Sequence, residues 1–523
     1  MPYTPAPCPS PYRPLLLSVL LMALFGSATW VAQADVTVAV HTETVTTIGG
    51  FGIFPASYDR VMPIYPSGTP AYEQGTWLPA KGPLTGGATL AALRGLGCGI
   101  GRVNLTPTLG RADHTLDSDR LQDLEDHLTT LRGAGISQYV LTMWSPPAYM
   151  KLPDHVRYGV YRGRNQYLNP DYARPDRYGL VDYFVAVLAA LKSAGVAAPL
   201  SLSIQNEPAI NADYDGCVYT DNAGEIQTWR RAVTLLRRRL DARRDPWFSG
   251  IAIIGPEAEG WDGMLPLLGA VSNQGFAALN SDPALAGALG GFAYHSYYTS
   301  ARIRTLDRAM AAYPGRSRWM TEYSTATGIR GELRPATGNQ ELDWALNDVR
   351  RMAGDLVDLH TGYWFFWRFW HPSEASDDQD LVYGDGKKSK AYFVFQTLWT
   401  TVRAGWKVKR TTSTDPDLRA DNRALINGPE PNGNMMSLPV DVIAFESPRA
   451  DRTLVLLANW TGRAKTLAAL SGLHGAAVTV FVTTASQDMA RTGERRVRGG
   501  ILQGSPLTLP AGSITCVVSR STL

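Results

Sequence analysis

Residues 200–208 read Leu-Ser-Leu-Ser-Ile-Gln-Asn-Glu-Pro, a short apolar run that ends in an acidic residue. Pro208 cannot donate to a sheet ladder or continue into a helix interior, so we expect the chain to turn there. A second run of this kind, Arg318–Tyr323 (Arg-Trp-Met-Thr-Glu-Tyr), carries Glu322 near its end. Side chains at the carboxyl ends of parallel barrel strands line the mouth of the barrel. The two segments therefore predict an α/β fold with Glu207 and Glu322 at one mouth.

Between residues 47 and 402, short β-branched or apolar runs alternate with amphipathic stretches, which is typical of βα units around a parallel sheet. The candidate strands are Thr47–Gly52, Ile100–Leu105, Gln138–Trp144, Leu200–Asn206, Ile251–Glu257, Gly291–His295, Arg318–Glu322 and Gly362–Trp367. The candidate helices are Leu121–Ala134, Asp176–Ala194, Glu225–Arg243, Ile303–Ala312, Gln340–Leu359 and Ser389–Val402. Eight strands without a G-x-G-x-x-G motif after the first favour a (β/α)8 TIM barrel over an open nucleotide-binding sheet.

The pattern changes after Val402, where helical periodicity stops and strand-like runs alternate with Gly-, Pro- and Asn-rich turns. The candidate strands of this region are Val440–Phe445, Thr453–Trp460, Ala477–Thr483 and Ser513–Val518. Residues 35–46 also predict a strand, because valines alternate with polar residues there. We expect a barrel domain of residues 47–402, and beside it a β-sandwich domain formed by residues 403–523 plus the N-terminal strand 35–46.

The first 34 residues predict a secretory signal peptide. Arg13 precedes the apolar run Leu15–Phe25, and residues 32–34 form an Ala-Gln-Ala cleavage site before Asp35. The run is too short to span a bilayer comfortably, and no later stretch is long and apolar enough to cross one. We therefore expect a secreted protein, extracellular or periplasmic, that has no membrane span once the signal peptide is removed.

The charge and the cysteine content bear on partners and cofactors. The formal net charge is +3, and loss of the signal peptide lowers it by one, so nucleic acid is not an expected partner. Three cysteines remain after residue 34, Cys98, Cys217 and Cys516, which allow at most one intramolecular disulfide and match no zinc-site spacing. We expect a monomer without metal or cofactor.

Glu207 and Glu322 form the candidate catalytic pair. Glycoside hydrolysis needs two carboxyl groups, one to protonate the leaving oxygen and one to attack or stabilise the anomeric carbon. Glu207 fits the general acid, which then acts as the base, and Glu322 fits the nucleophile. Glu257, at the end of the fifth candidate strand, is the nearest rival and could bind substrate instead.

Seven further side chains lie at or near predicted strand ends and form a candidate substrate-binding shell. Arg102 could keep the nucleophile ionised, although a purely structural ion pair suits that position equally well. Asn206 could donate to a sugar 2-hydroxyl, and tryptophan faces can stack on sugar C–H faces. Most of the 14 tryptophans are nevertheless expected in the core. The candidate set is Arg102, Trp144, Asn206, His295, Tyr297, Trp367 and Trp370.

Five segments of the chain resemble glycoside hydrolase family 30, and the likeness extends over essentially all of residues 35–523. They are Gly49–Gly52 (GGFG), Trp144–Lys151 (WSPPAYMK), Ser203–Pro208 (SIQNEP), Thr321–Tyr323 (TEY) and Leu509–Thr515 (LPAGSIT). The resemblance implies a (β/α)8 barrel with a sandwich built from both termini. It also implies retention of anomeric configuration through a glycosyl-enzyme intermediate, without metal or cofactor.

The sugar and the linkage are not fixed by these segments. Members of the family act on glucosylceramide, xylan, β-1,6-glucan, β-1,6-galactan and β-xylosides or β-fucosides, and no arginine-bearing segment here points to a glucuronate. The alternatives are a retaining glycosidase of a neighbouring clan family with another substrate, or a non-catalytic carbohydrate-binding barrel. A metal-dependent hydrolase is disfavoured, because the sequence shows no ligand cluster.

Overall fold

The structure is a computed structural model, in which the conformation of most of the chain after residue 34 is described. The described residues are 35–55, 84, 87–152, 160–161, 164–165, 167–209, 216–269, 275–298, 303–325, 337–371, 380–384, 386–421 and 440–520. The predicted signal peptide, residues 1–34, lies outside them.

Eight parallel strands close into a barrel, with neighbours in chain order and the eighth strand paired with the first. From first to eighth they are Gly50–Ile53, Ile100–Leu105, Gln138–Met143, Ser201–Ser203, Ala252–Gly260, Leu289–Tyr298, Ser317–Tyr323 and Tyr363–Phe366. A helix follows each strand: in order, Gly87–Leu96, Ser118–Gly133, Leu180–Ser193, Ala223–Ala242, Trp261–Leu268, Ile303–Ala311, Gln340–Asp358 and Lys390–Thr401. Short helices at Pro246–Ser249, Ala277–Ser281 and Pro283–Ala288 complete the described α-helices. The predicted α/β class and the TIM barrel are confirmed.

Large aromatic side chains fill the amino-terminal half of the barrel and explain the glycines of the first strand. The rings of Trp319 and Tyr363 stack with centroids 3.6 Å apart. A Cβ on Gly49 would lie 2.2 Å from the Tyr363 ring, and one on Gly52 would lie 2.1 Å from the Phe365 ring. Glycine therefore lets the first strand approach the aromatic residues of the eighth.

Ten strands form the second sheet, which folds back on itself as the N-terminal strand Val36–Thr47 pairs with both Lys407–Ser413 and Lys465–Ser471. The remaining strands are Val442–Glu446, Thr453–Asn459, Ala477–Thr484, Gln487–Arg498, Ile501–Leu502, Leu507–Leu509 and Ser513–Arg520. Two-residue strands also lie at 151–152, 160–161, 164–165, 167–168, 370–371, 382–383 and 387–388. The side sandwich that includes the N-terminal strand is thus confirmed.

The barrel and the sandwich share apolar packing. Every residue of strand Thr453–Asn459 is buried. Leu454 and Leu456 belong to the apolar cluster formed with the helices around the barrel, while Val455 and Leu457 belong to the core of the sandwich. Across the same junction, the helix Gln340–Asp358 places Arg350 Nε 2.6 Å from the Asp441 carboxylate of the sandwich. The helix that follows the seventh barrel strand therefore contacts both the barrel and the sandwich.

The structure departs from the expected elements at a few places. The helices Gly87–Leu96 and Trp261–Leu268 were not predicted, and both contain helix-disfavouring residues, two glycines in the first and Pro266 in the second. The fourth strand ends at Ser203, shorter than the predicted Leu200–Asn206.

Two further features concern the cysteines and the membrane. The three cysteines among the described residues, Cys98, Cys217 and Cys516, are buried free thiols. None of the helices in the described part of the chain combines the length and the hydropathy needed to cross a bilayer.

Candidate active site

In three barrel strands, the inward-facing residues change from apolar to polar towards the carboxyl end. Ile100 belongs to the apolar cluster inside the barrel, and Arg102, two residues later, points to the same interior because strand side chains alternate. The same step leads from Val140 to Thr142 and from Ala293 to His295. The second residue of each pair, Arg102, Thr142 or His295, thus contributes its side chain to the polar layer at the mouth of the barrel.

Two irregularities in strand pairing bring glutamates into this layer. In the seventh strand, Met320 pairs with Tyr294 but Glu322 pairs with His295, so Thr321 is an extra residue. A bulge of this kind re-aims the next side chain, and it turns Glu322 inward. A similar shift in the fifth strand occurs at Glu257.

Arg102 is the centre of the polar layer, and its guanidinium is fully buried. Its Nε donates to Glu257 Oε1 at 3.0 Å, and one terminal nitrogen donates to Glu322 Oε2 at 2.5 Å. The other terminal nitrogen donates to Asn206 Oδ1 at 2.6 Å. One cation thereby holds residues from beyond the fourth strand and from the fifth and seventh strands in one fixed arrangement.

Glu207 lies just beyond the fourth strand and is paired with a histidine. His295 Nδ1 lies 2.8 Å from Glu207 Oε1, and His295 Nε2 lies 3.5 Å from an Arg102 nitrogen that can only donate. Nε2 is therefore the acceptor, and Nδ1–H donates to Glu207. Burial lowers the pKa of His295 to about 4, so the ring is neutral. Burial raises the pKa of Glu207 to about 8, opposed by Arg102 and reinforced by Glu257.

Glu322 is equally buried but has stronger hydrogen-bond donors. Besides the Arg102 contact, the Tyr297 hydroxyl donates to Glu322 Oε1 at 3.1 Å. Burial raises the pKa of Glu322, while the charge and hydrogen bond of Arg102 oppose that rise. Donors to the carboxylate favour its ionised form, so the surroundings of Glu322 favour the charged state more than those of Glu207 do.

Three potential metal-ligand atoms, one each from Glu207, His295 and Glu322, lie within 4.8 Å of one another. No metal-ligand spacing in the sequence marked this cluster, because Glu207 follows the fourth strand while His295 and Glu322 lie on the sixth and seventh. The Arg102 guanidinium already bonds Glu322, so a cation placed there would meet a positive charge at close range. We assign no metal to these residues.

Aromatic rings line one side of the mouth. Trp144 and Trp367 are half-buried, with ring centroids 6.0 Å apart, and Arg102 Cζ lies 4.4 Å from the centroid of Trp144. Phe54 packs against both indoles, at 5.5 Å and 4.4 Å. Their partly exposed faces can accept the apolar face of a sugar.

Trp370 lies apart from this group. Its indole N–H donates to the Gly384 carbonyl at 2.7 Å, and no ring contact joins it to Trp144 or Trp367 within the described part of the chain. The structure thus brings together Arg102, Trp144, Asn206, Glu207, His295, Tyr297, Glu322 and Trp367, but not Trp370.

Sequence reasoning missed Phe54, Thr142 and the structural importance of Glu257. Phe54 follows the first strand directly, so its position at a strand end was the available signal. Thr142 donates to Glu257 Oε1 at 3.4 Å. Glu257 itself is fully buried, so the suggestion that it binds substrate is not supported by its surroundings.

The chain was compared with known proteins by sequence and by structure. No protein-family model matches the sequence, and no curated protein matches it. Among solved structures, the glycoside hydrolase family 30 subfamily 8 xylanase Xyn30A from Clostridium acetobutylicum has a TM-score of 0.63 at 18% identity, covering 92% of this chain and 99% of the xylanase. A conserved exported protein from Bacteroides fragilis has 0.64 at 15% identity, covering 92% and 100%.

A third solved structure, the endo-β1,6-glucanase BT3312, has a TM-score of 0.58 at 16% identity, covering 93% of this chain and 94% of the glucanase. These likenesses extend over nearly the whole length of each chain. They confirm that the barrel and its sandwich have the fold found in a family 30 glycoside hydrolase.

Proposed function

We propose that this protein is a retaining β-glycoside hydrolase that cleaves a polysaccharide or an oligosaccharide by double displacement. Glu207 acts as the general acid and then as the base, and Glu322 acts as the nucleophile. The observation that carries the proposal is the unequal surroundings of two adjacent buried glutamates at the barrel mouth. The fold likeness to a family 30 xylanase and to an endo-β-1,6-glucanase supports the same reaction class.

The first half of the reaction needs a proton on Glu207 and a charge on Glu322. With a pKa of about 8, Glu207 keeps its proton at neutral pH and can deliver it to the leaving oxygen. Arg102 and Tyr297 hold Glu322 through both of its oxygens, which orients the carboxylate for attack on the anomeric carbon. Loss of the leaving group leaves a glycosyl ester on Glu322 and a carboxylate on Glu207.

In the second half, Glu207 takes a proton from water, and the resulting hydroxide attacks the anomeric carbon and releases Glu322. Two inversions give net retention, which requires carboxyl groups about 5–5.5 Å apart. Oxygens of Glu207 and Glu322 lie within 4.8 Å of each other. This spacing supports retention, since an inverting enzyme keeps about 6.5–9.5 Å for a water molecule.

Asn206 and the aromatic wall are the proposed substrate contacts. The Asn206 Oδ1 accepts from Arg102, which leaves the amide N–H groups as the ones that can donate to the sugar 2-hydroxyl. Trp144 and Trp367 offer half-buried faces for stacking. We propose xylan and β-1,6-glucan as the first substrates to try, from the reactions that the names of the similar structures state.

We also propose that the protein is exported, with residues 1–34 as the signal peptide. One of the similar structures is described as an exported protein. N-terminal sequencing of the mature protein tests this, with Asp35 expected as the first residue. A mature protein that begins at Met1 would contradict it.

The function is tested by incubating the purified protein with xylan, β-1,6-glucan, β-1,6-galactan and aryl β-glycosides, and following the product anomer by NMR. We expect hydrolysis of at least one of these with retained β configuration. An initial α product would contradict the double displacement. Saccharide binding without turnover, unchanged in Glu207→Gln and Glu322→Gln, would instead indicate a non-catalytic barrel.

A further inference from the structure

Glu257 lies in the polar layer but takes no part in the steps above. Its side chain is fully buried, so a sugar in the mouth cannot reach it. Its Oε1 accepts from Arg102 Nε at 3.0 Å, and the same guanidinium contacts Glu322 at 2.5 Å. Arg102 therefore links Glu257 to the nucleophile through hydrogen bonds.

Glu257 also contacts the proposed acid through the backbone. Its carbonyl accepts the backbone N–H of Glu207 at 3.0 Å. Both residues have positive φ, 59° for Glu257 and 46° for Glu207, a region that is strained for a residue other than glycine. A backbone hydrogen bond thus joins Glu207 to Glu257, and both residues have strained backbone conformations.

We propose that Glu257 is a positioning residue for both glutamates: its side chain holds Arg102 against Glu322, and its buried negative charge opposes ionisation of Glu207. The proposal rests on the roles assigned under the proposed function, and it assigns Glu257 a task in that site that is distinct from substrate binding. It explains why two carboxylates share one buried arginine.

The groups that face Glu257 come from every neighbouring strand. They are Arg102 on the second strand, Thr142 on the third, Glu207 beyond the fourth and His295 on the sixth. Glu322 on the seventh strand contacts the same arginine. The negative charge of Glu257 adds to the raised pKa of Glu207 and Arg102 lowers it. Neutralising Glu257 removes the first effect and leaves Arg102 with one anion fewer to neutralise, so both changes lower the pKa of Glu207.

The test is a carboxyl NMR titration of the full protein labelled with ¹³C at the glutamate side-chain carboxyl, with the Glu207 signal assigned from Glu207→Gln. In Glu257→Gln, which keeps an oxygen to accept from Arg102, we expect the Glu207 titration to move to lower pH by roughly one unit. The basic limb of kcat/KM should move in the same direction. Glu257→Met is a second neutral variant, should the amide prevent folding.

The matched control is Asp355→Asn, which also replaces a buried carboxylate by an amide. Asp355 bonds Ser296 and Trp364 and has no contact with Arg102 or Glu207 in the described part of the chain, so it should leave the Glu207 titration unchanged. An unchanged Glu207 titration in both neutral Glu257 variants would overturn the proposal. The NMR readout needs no substrate, so a wild-type protein without glycosidase activity would contradict the proposed function and leave this test intact.

Discussion

The ends of the fourth and seventh barrel strands present the same side chain in two different surroundings. Glu207 and Glu322 are buried to nearly the same extent, 6% and 7% exposed. Glu207 accepts from a neutral histidine, whereas Glu322 accepts from an arginine and a tyrosine. Burial alone would raise the pKa of both glutamates. Their different hydrogen-bond partners make Glu207 suited to donate a proton and Glu322 suited to act as the nucleophile.

The difference shows how one cation, Arg102, can stabilise the ionised form of one glutamate more than that of another. Arg102 donates a hydrogen bond directly to Glu322. It contacts His295, the partner of Glu207, and acts on Glu207 itself through its charge. A charge-assisted hydrogen bond is about twice as strong as a neutral one, so the direct contact favours ionised Glu322. Substitutions at either strand end, or at the residues around them, should disturb this division in predictable ways.

The largest expected effect is that of Glu322→Ala, because no other carboxylate can form the glycosyl ester. We expect kcat/KM to fall by about 10⁶-fold, as on removal of the nucleophile of a serine protease. Added azide should restore turnover and give the α-glycosyl azide, since the anion attacks from the face that Glu322 vacated. A β-azide product from this variant would reverse the two roles.

Glu207→Ala should cost less and depend on the leaving group. General acid catalysis contributes about 10²–10⁴-fold, so we expect a loss of about 10³-fold on a natural glycan. On a dinitrophenyl glycoside, whose leaving group needs no proton, the first step should be nearly unaffected. An equal loss on both substrates would contradict the assignment of Glu207 as the acid. Azide should here give the β-glycosyl azide.

The pH profile of the wild type should follow the same division. Because the pKa of Glu207 is raised to about 8, kcat/KM should hold at neutral pH and fall as Glu207 loses its proton above pH 8. Steady-state kinetics measure this pH dependence of kcat/KM over roughly three pH units on either side of neutrality. In Glu207→Ala the basic limb should disappear, and a limb that persists would belong to another group.

Tyr297→Phe removes one donor to Glu322 and leaves the ring in place. A hydrogen bond to a charged group contributes about 1.5–3 kcal/mol, so we expect kcat/KM to fall by about 10- to 100-fold. The acid limb should move to higher pH, because loss of a donor to the ionised form raises the pKa of Glu322. A fall in activity with an unmoved acid limb would show that Tyr297 serves substrate binding alone.

The fold could be predicted because each barrel strand contains a short apolar run, and the two candidate catalytic glutamates lie near or just beyond the ends of their strands. Glu207 was marked by Pro208, and Glu322 by the buried run before it. The bulges at Thr321 and Glu257 were not predictable, since they depend on the register of neighbouring strands. For the same reason, the sequence could not show that Glu257 shares Arg102 with Glu322, or that Trp370 turns towards Gly384.

The smallest expected effects are those of substitutions at Trp367 and Trp370, which should differ in their influence on KM. Trp367→Ala removes a half-buried face of the aromatic wall, and we expect KM to rise by about tenfold, corresponding to about 1.4 kcal/mol of stacking. Trp370→Phe should change kcat/KM by less than about threefold, because its indole is bonded to Gly384 and its loss is a local packing change. Equal effects of the two substitutions on KM would place Trp370 in the binding site.

Covalent trapping tests the division between the two glutamates most directly. The protein is incubated with a 2-deoxy-2-fluoro glycoside of the sugar that it hydrolyses, whose slow second step lets the ester accumulate, and the labelled peptide is sequenced by mass spectrometry. We expect the added mass of one fluorosugar on Glu322. A label on Glu207 or Glu257, or inactivation-free turnover with inverted product, would contradict it.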